Sequence, residues 1–127
     1  MERFLWVCVG GAAGSGARYL VSLWTLERFG ARFPLGTLAV NVAGSFAIGL
    51  SMHLSASSDW LTPTMRVALV TGVLGGFTTY SAFNFEAVSY AQRGDWALAG
   101  GYVALMLCAC FAAGWAGHAV AQHWSGA

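Results

Sequence analysis

Four long apolar segments, residues 4–26, 35–54, 65–90 and 97–121, take up most of this 127-residue chain. Each approaches the ~20 residues that a helix needs to cross a hydrocarbon core of about 30 Å. The links between them, 27–34, 55–63 and 92–95, carry the charged and turn-forming residues that the segments lack, as in the first link with Glu27, Arg28, Gly30, Arg32 and Pro34. Only 9% of residues are charged and 57% are hydrophobic, against the ~25% charged residues of an ordinary soluble domain. The expectation is a single all-α integral membrane domain over 1–127 with four transmembrane helices, multi-pass in the cell (inner or plasma) membrane. Lipid surrounds it, and nothing suggests a nucleic-acid partner.

The first segment is too long for a signal peptide and is interrupted by Arg18, so it is read as a retained span. Loop charge scarcely orients the bundle. Arg3 and Arg66 flank one face, Arg28, Arg32 and Arg93 the other, and the chain contains no lysine. A chain that inserts both ways round is able to pair with itself as an antiparallel homodimer, and a fixed orientation is the alternative.

Glycine sets the architecture. Many of the 17 glycines stand at small-xxx-small spacing, as Gly10 with Gly14, Gly72 with Gly76, and Ala113 with Gly117. That period lets helix backbones approach closely in lipid, where no hydrophobic drive holds helices together. Cys8, Cys108 and Cys110 all fall inside apolar segments at spacings that fit neither a zinc site nor a disulfide framework. They read as small packing residues. His118 and His123 are five apart, off a common helical face, and with His53 they read as interfacial or satisfied histidines.

The anomaly is the run GVLGGFTTYSAFNFE, residues 72–86, in the third apolar segment. Unsatisfied polar groups in a bilayer cost several kcal/mol each, so such a run persists only where it packs inside protein or lines a polar path. Gly75 and Gly76 followed by Phe77, Thr78 and Thr79 are poor helix formers midway along the segment. A helix break there would free backbone carbonyls and hydroxyls of the kind that coordinate ions, and an unbroken packed helix is the competing reading. Beyond it, Tyr80 and Phe83 share a helix side, and their electropositive ring edges suit an anion, with plain core packing the commoner reading of such rings. Glu86 is the sole carboxylate within a predicted span. Arg18 either snorkels to the interface or lines an aqueous entry. Asn41, near the centre of the second segment, either bonds a neighbouring helix or turns its NH2 to a pore, and the pore is the expectation; Ser45, four residues on, continues the same stripe.

GGAAGSGAR in the first segment, GTLAVNVAGSF in the second and GVLGGFTTYSAFNFE in the third together resemble the Fluc (CrcB) fluoride channel family, in order and over the whole chain. The resemblance implies a passive fluoride exporter that confers fluoride resistance, built as an antiparallel dual-topology homodimer with two pores, and no enzyme. It implies a fluoride pathway through Asn41, Tyr80, Ser81 and Phe83, with Arg18 and Glu86 in the vestibule or beside the pore. It also implies one structural Na+ on the dimer axis, held by the backbone carbonyls of Gly75 and Thr78 from both subunits. Two departures stand out. The aromatic motif more usually reads TTFSTF and here is TTYSAF, residues 78–83, with a hydroxyl on the first ring and none at Ala82. In the fourth segment, where the family often offers serine or threonine, this chain has Cys108, Ala109 and Cys110.

The runner-up is a small multidrug-type proton-coupled exporter. That class is expected to carry a carboxylate in its first span, whereas here no acid lies between Glu2 and Glu27.

Overall fold

The computed structural model describes residues 1–57 and 62–125, with side chains at 1–53 and 62–124. Part of the expected second link, residues 58–61, and the last two residues of the expected domain lie outside the described residues. Every element found is helical: α1 (Glu2–Phe29), α2 (Leu35–Ser57), α3 (Pro63–Val67) running into a π-helical stretch (Ala68–Leu74) and the single turn α4 (Gly75–Phe77), then α5 (Tyr80–Gln92) and α6 (Trp96–Ser125).

Local chemistry sets the ends. Gly30 stops α1 at φ 77°, a conformation open to glycine, and its N–H donates to the Leu26 carbonyl at 2.8 Å. Thr62 caps α3 by accepting from the Met65 N–H at 3.2 Å, with Pro63 in the first helical position. Gly94, at φ 84°, turns the chain from α5 into α6.

Among the described residues, three helical stretches are long and apolar enough to cross a membrane: Glu2–Phe29, Leu35–His53 and Trp96–Trp124. The third apolar segment differs, because it is assembled from shorter pieces. Thr78 (φ −81°, ψ 158°) and Thr79 (φ −151°, ψ 105°) are extended, so the helical path stops after Phe77 and restarts at Tyr80.

The helices meet through missing side chains. α1 packs on the π-helical stretch and α4, and α2 packs along α6. A Cβ on Gly14 would run into the Val73 carbonyl oxygen and stand 2.9 Å from the Phe77 nitrogen, while one on Gly76 would stand 2.5 Å from the Gly11 carbonyl oxygen. Across the other interface, Cβ atoms on Gly49 and Gly117 would strike the carbonyl oxygens of Gly114 and Phe46. All of these obstacles are backbone, which has no rotamer with which to yield. The expected small-residue faces are therefore contact faces.

Side-chain packing concentrates elsewhere, around the fully buried Tyr102 with Phe83, Tyr90, Ala99 and Met106. Only 11, 28 and 17% of the three spanning stretches is buried within the chain, so most of their apolar surface faces lipid or another chain.

Gly14→Ala is expected to destabilise the chain in detergent by about 3 kcal/mol or more through forced separation of α1 from the third segment. Gly16→Ala, where a Cβ meets nothing within 4 Å, is expected to stay within ~0.5 kcal/mol. Paired thermal unfolding measured by size-exclusion checks both.

Candidate functional site

An interrupted helix in an apolar medium exposes N–H and C=O groups that water cannot satisfy. Here side chains from other helices take that part. The Thr79 N–H donates to Asn41 Oδ1 at 2.7 Å, and Asn41 Nδ2 donates back to the Thr79 carbonyl at 3.0 Å. One carboxamide on α2 thus satisfies both polar groups of one residue in the break. The Thr79 hydroxyl accepts from the Ala82 N–H at 3.2 Å, capping α5. On the upstream side, the N–H and hydroxyl of Thr78 both donate to the Leu74 carbonyl at 3.0 Å. The Gly76 carbonyl receives Arg18 Nε at 3.0 Å and the Ser15 hydroxyl at 3.4 Å. Arg18 is therefore tied to the break itself. No donor among the described residues bonds the carbonyls of Gly75 or Thr78.

Below this framework lies a cavity of about 500 Å3, lined by Asn41, Ser45, Tyr80, Phe83, Met106 and Cys110 among others. Tyr80 and Phe83 meet with ring centroids 5.6 Å apart at 68°. They differ in setting, since Tyr80 is 75% exposed and Phe83 only 6%. Ser81 is not brought to this cavity; it is exposed, with its hydroxyl 3.3 Å from that of Thr79. Of the two fourth-segment cysteines flagged in the sequence, Cys110 lines the cavity and Cys108 is exposed.

Glu86 lines a second cavity, of about 550 Å3, with Ser22, Thr25, Thr37, Ser89 and Arg93. Its carboxylate accepts from the Thr37 hydroxyl at 2.6 Å and from the Tyr102 hydroxyl at 2.7 Å, one on each oxygen. Tyr102 lines neither cavity but packs between a residue of each: its hydroxyl reaches Glu86, and its ring stands 5.4 Å edge-on from Phe83. Phe33 and Tyr90 hold the same ring edge-on at 5.4 and 6.1 Å.

Sequence reasoning missed Thr37 and Tyr102. Thr37 was within reach, standing four residues before Asn41 on the same face of α2. Tyr102 gave no signal, because a tyrosine in an apolar helix reads as core or interfacial belt until its hydroxyl partner is seen.

A family model described as CrcB-like protein, Camphor Resistance (CrcB), matches residues 5–118, a range that takes in the break and both cavities. The chain belongs to the CrcB family. Among its relatives, the fluoride-specific ion channel FluC of Sorangium cellulosum (strain So ce56) is 49% identical over 122 residues, 96% of each chain. FluC of Anaeromyxobacter dehalogenans (strain 2CP-1 / ATCC BAA-258) is 49% identical over 116 residues, covering 91% of this chain and 92% of its own. FluC of Agrobacterium fabrum (strain C58 / ATCC 33970) is 48% identical over 117 residues, at 92 and 94% coverage. The match to the CrcB family spans all three motifs that carried the resemblance.

In this CrcB chain, Asn41→Ala orphans the Thr79 N–H, whereas the Thr79 carbonyl, at the N-cap of α5, keeps its place in the helix. At about 1–3 kcal/mol for a buried group left unsatisfied, the expected loss is of that size, read as a lower unfolding midpoint in detergent. An unchanged midpoint would show that the carboxamide does not hold the break.

Proposed function

We propose that the chain is a passive, fluoride-selective channel of the cytoplasmic membrane that lets accumulated fluoride leave the cell. The observation that carries this reading is that relatives named fluoride-specific ion channel share 48–49% identity with the chain over more than nine-tenths of their length and its own. The chemistry of the cavities agrees. Fluoride is compact and strongly hydrated, so a selective path must replace its water with donors that do not trap it. Asn41 Nδ2, the hydroxyls of Ser45 and Thr37, and the ring edges of Tyr80 and Phe83 are donors of that kind. Ser81 joins the path only if its exposed face is covered by a second copy.

The domain is read as the four spans 4–26, 35–54, 65–90 and 97–121, with the third broken at Thr78–Thr79 and an antiparallel, dual-topology homodimer as the working unit. Three facts support the dimer: the weak loop-charge bias, the small buried share of each span, and the position of Gly75. A Cβ on Gly75 would meet only the Val70 carbonyl oxygen, at 3.8 Å, so packing within one chain does not explain the glycine. Close approach of a second copy would.

The Gly75 and Thr78 carbonyls fit a structural Na+. They are hard oxygen donors freed by the break, and no donor among the described residues claims them. Two from each subunit would hold the ion, which when bound would join the subunits electrostatically at the break. The chain's own part is to keep those carbonyls free, through Asn41 at Thr79 and Arg18 at Gly76.

A proton-coupled exporter finds no support. Glu86 is engaged by two hydroxyls, α1 has no carboxylate between Glu2 and Glu27, and none of the relatives above is named as an exporter. The reading also makes the chain a channel and not an enzyme.

Purified protein in liposomes, followed with fluoride and chloride electrodes, is expected to release fluoride rapidly without a pH gradient and with negligible chloride. Efflux that needs a proton gradient, or equal chloride release, would refute the reading. Phe83→Ile is expected to cut fluoride flux at least tenfold while the size-exclusion profile stays that of the parent, since the ring edge is lost and the volume nearly kept.

A further inference from the structure

Two sulfur atoms share the cavity that contains Asn41, Tyr80 and Phe83. Met106 and Cys110 stand one turn apart on α6 and both line it, with the Cys110 thiol donating to Met106 Sδ at 3.7 Å. Asn41 Nδ2 approaches the same thioether at 3.8 Å. Met106 is buried, at 4% exposure, and Cys110 is half-buried, so both sulfurs are reached through the cavity.

We propose that Met106 and Cys110 form a binding site for a soft monovalent metal ion, Cu(I) or Ag(I), and that its occupancy closes the cavity to anions. A thiolate and a thioether are the donor set that selects such ions over Na+, Mg2+ or Ca2+. The spacing fits: two sulfurs each about 2.3 Å from one ion, at a near-tetrahedral angle, stand roughly 3.8 Å apart. No large rearrangement is needed, since the third and fourth positions face cavity space. On binding, the Cys110 S–H bond breaks, the proton passes to cavity water and an S–metal bond forms, with no change of oxidation state. A cation enters as a proton leaves, so the local charge is unchanged. Closure follows from volume, and from loss of the thioether lone pair that Asn41 Nδ2 faces. Cys8 and Cys108 are exposed and do not line this cavity, so the other thiols of the chain do not complete the site.

The closure half of this inference rests on the channel reading; the site itself does not. The test uses the full chain with Cys8→Ser and Cys108→Ser, in chloride-free nitrate buffer, with silver nitrate as the probe. Silver retained after desalting is measured by mass spectrometry, alongside fluoride efflux from liposomes. The expected result is one silver ion per chain, none in Cys110→Ser, and at least tenfold weaker binding in Met106→Leu, with circular dichroism confirming helix content in each. Silver is expected to stop efflux, dithiothreitol to restore it, and Cys110→Ser efflux, whatever its basal rate, to be insensitive to silver. Equal silver binding in Cys110→Ser, or undiminished binding in Met106→Leu, would overturn the site. Undiminished efflux from silver-loaded protein would overturn the closure. Stoichiometric silver in a protein that passes no fluoride untreated would overturn the channel reading and uphold the site.

Discussion

The two hydrogen bonds between the Asn41 carboxamide and Thr79 are what the rest of the structure depends on. In a bilayer, a chain cannot leave helical geometry unless something replaces the hydrogen bonds it gives up. Asn41 supplies an acceptor for the N–H of Thr79 and also bonds its carbonyl, from a helix 38 positions away in sequence. Because it does, Thr79 is free to cap α5, and α5 begins where Tyr80 and Phe83 face the cavity. An aspartate here would lack the amide donor, and a leucine both functions. The same carboxamide also lines the cavity, so one group fixes the geometry of the break and contributes to the cavity wall.

Backbone proximity makes that arrangement reachable. Arg18 meets the Gly76 carbonyl only because α1 lies almost in contact with the third segment, along Gly10, Gly14, Gly72 and Gly76. Those contacts are short-range and non-directional, and they carry no chemistry of their own. They place a guanidinium against a freed carbonyl, which in lipid is far stronger than the contact itself. On the opposite side, α2 packs along α6 and carries Thr37 at one cavity and Asn41 at the other, while α6 brings Met106 and Cys110 to the Asn41 cavity alone.

How far the sequence discloses this varies by residue. The polar run 72–86 is conspicuous because lipid penalises it, and Asn41 stands out for the same reason. The glycine period is visible because so few side chains produce it. What a single chain hides is the partner of each polar group. Arg18 reads equally well as interfacial until the Gly76 carbonyl, 58 positions away, is seen beside it. Tyr102 reads as filler until Glu86 is found at its hydroxyl. Ser81 sits two residues from Thr79 and one from Tyr80, yet its face depends on the phase at which α5 restarts after the break, which helical periodicity does not carry across two extended residues. The exposure of Tyr80 turns on the same phase, and periodicity does not disclose it.

The central claim concerns one amide, and hydrogen exchange reads it directly. With 15N-labelled protein in nanodiscs, the Thr79 N–H is expected to exchange slowly although it has no helical acceptor, and to lose that protection in Asn41→Ala while amides in the middle of α2 and α6 keep theirs. Equal protection of Thr79 with and without the Asn41 carboxamide would contradict the account.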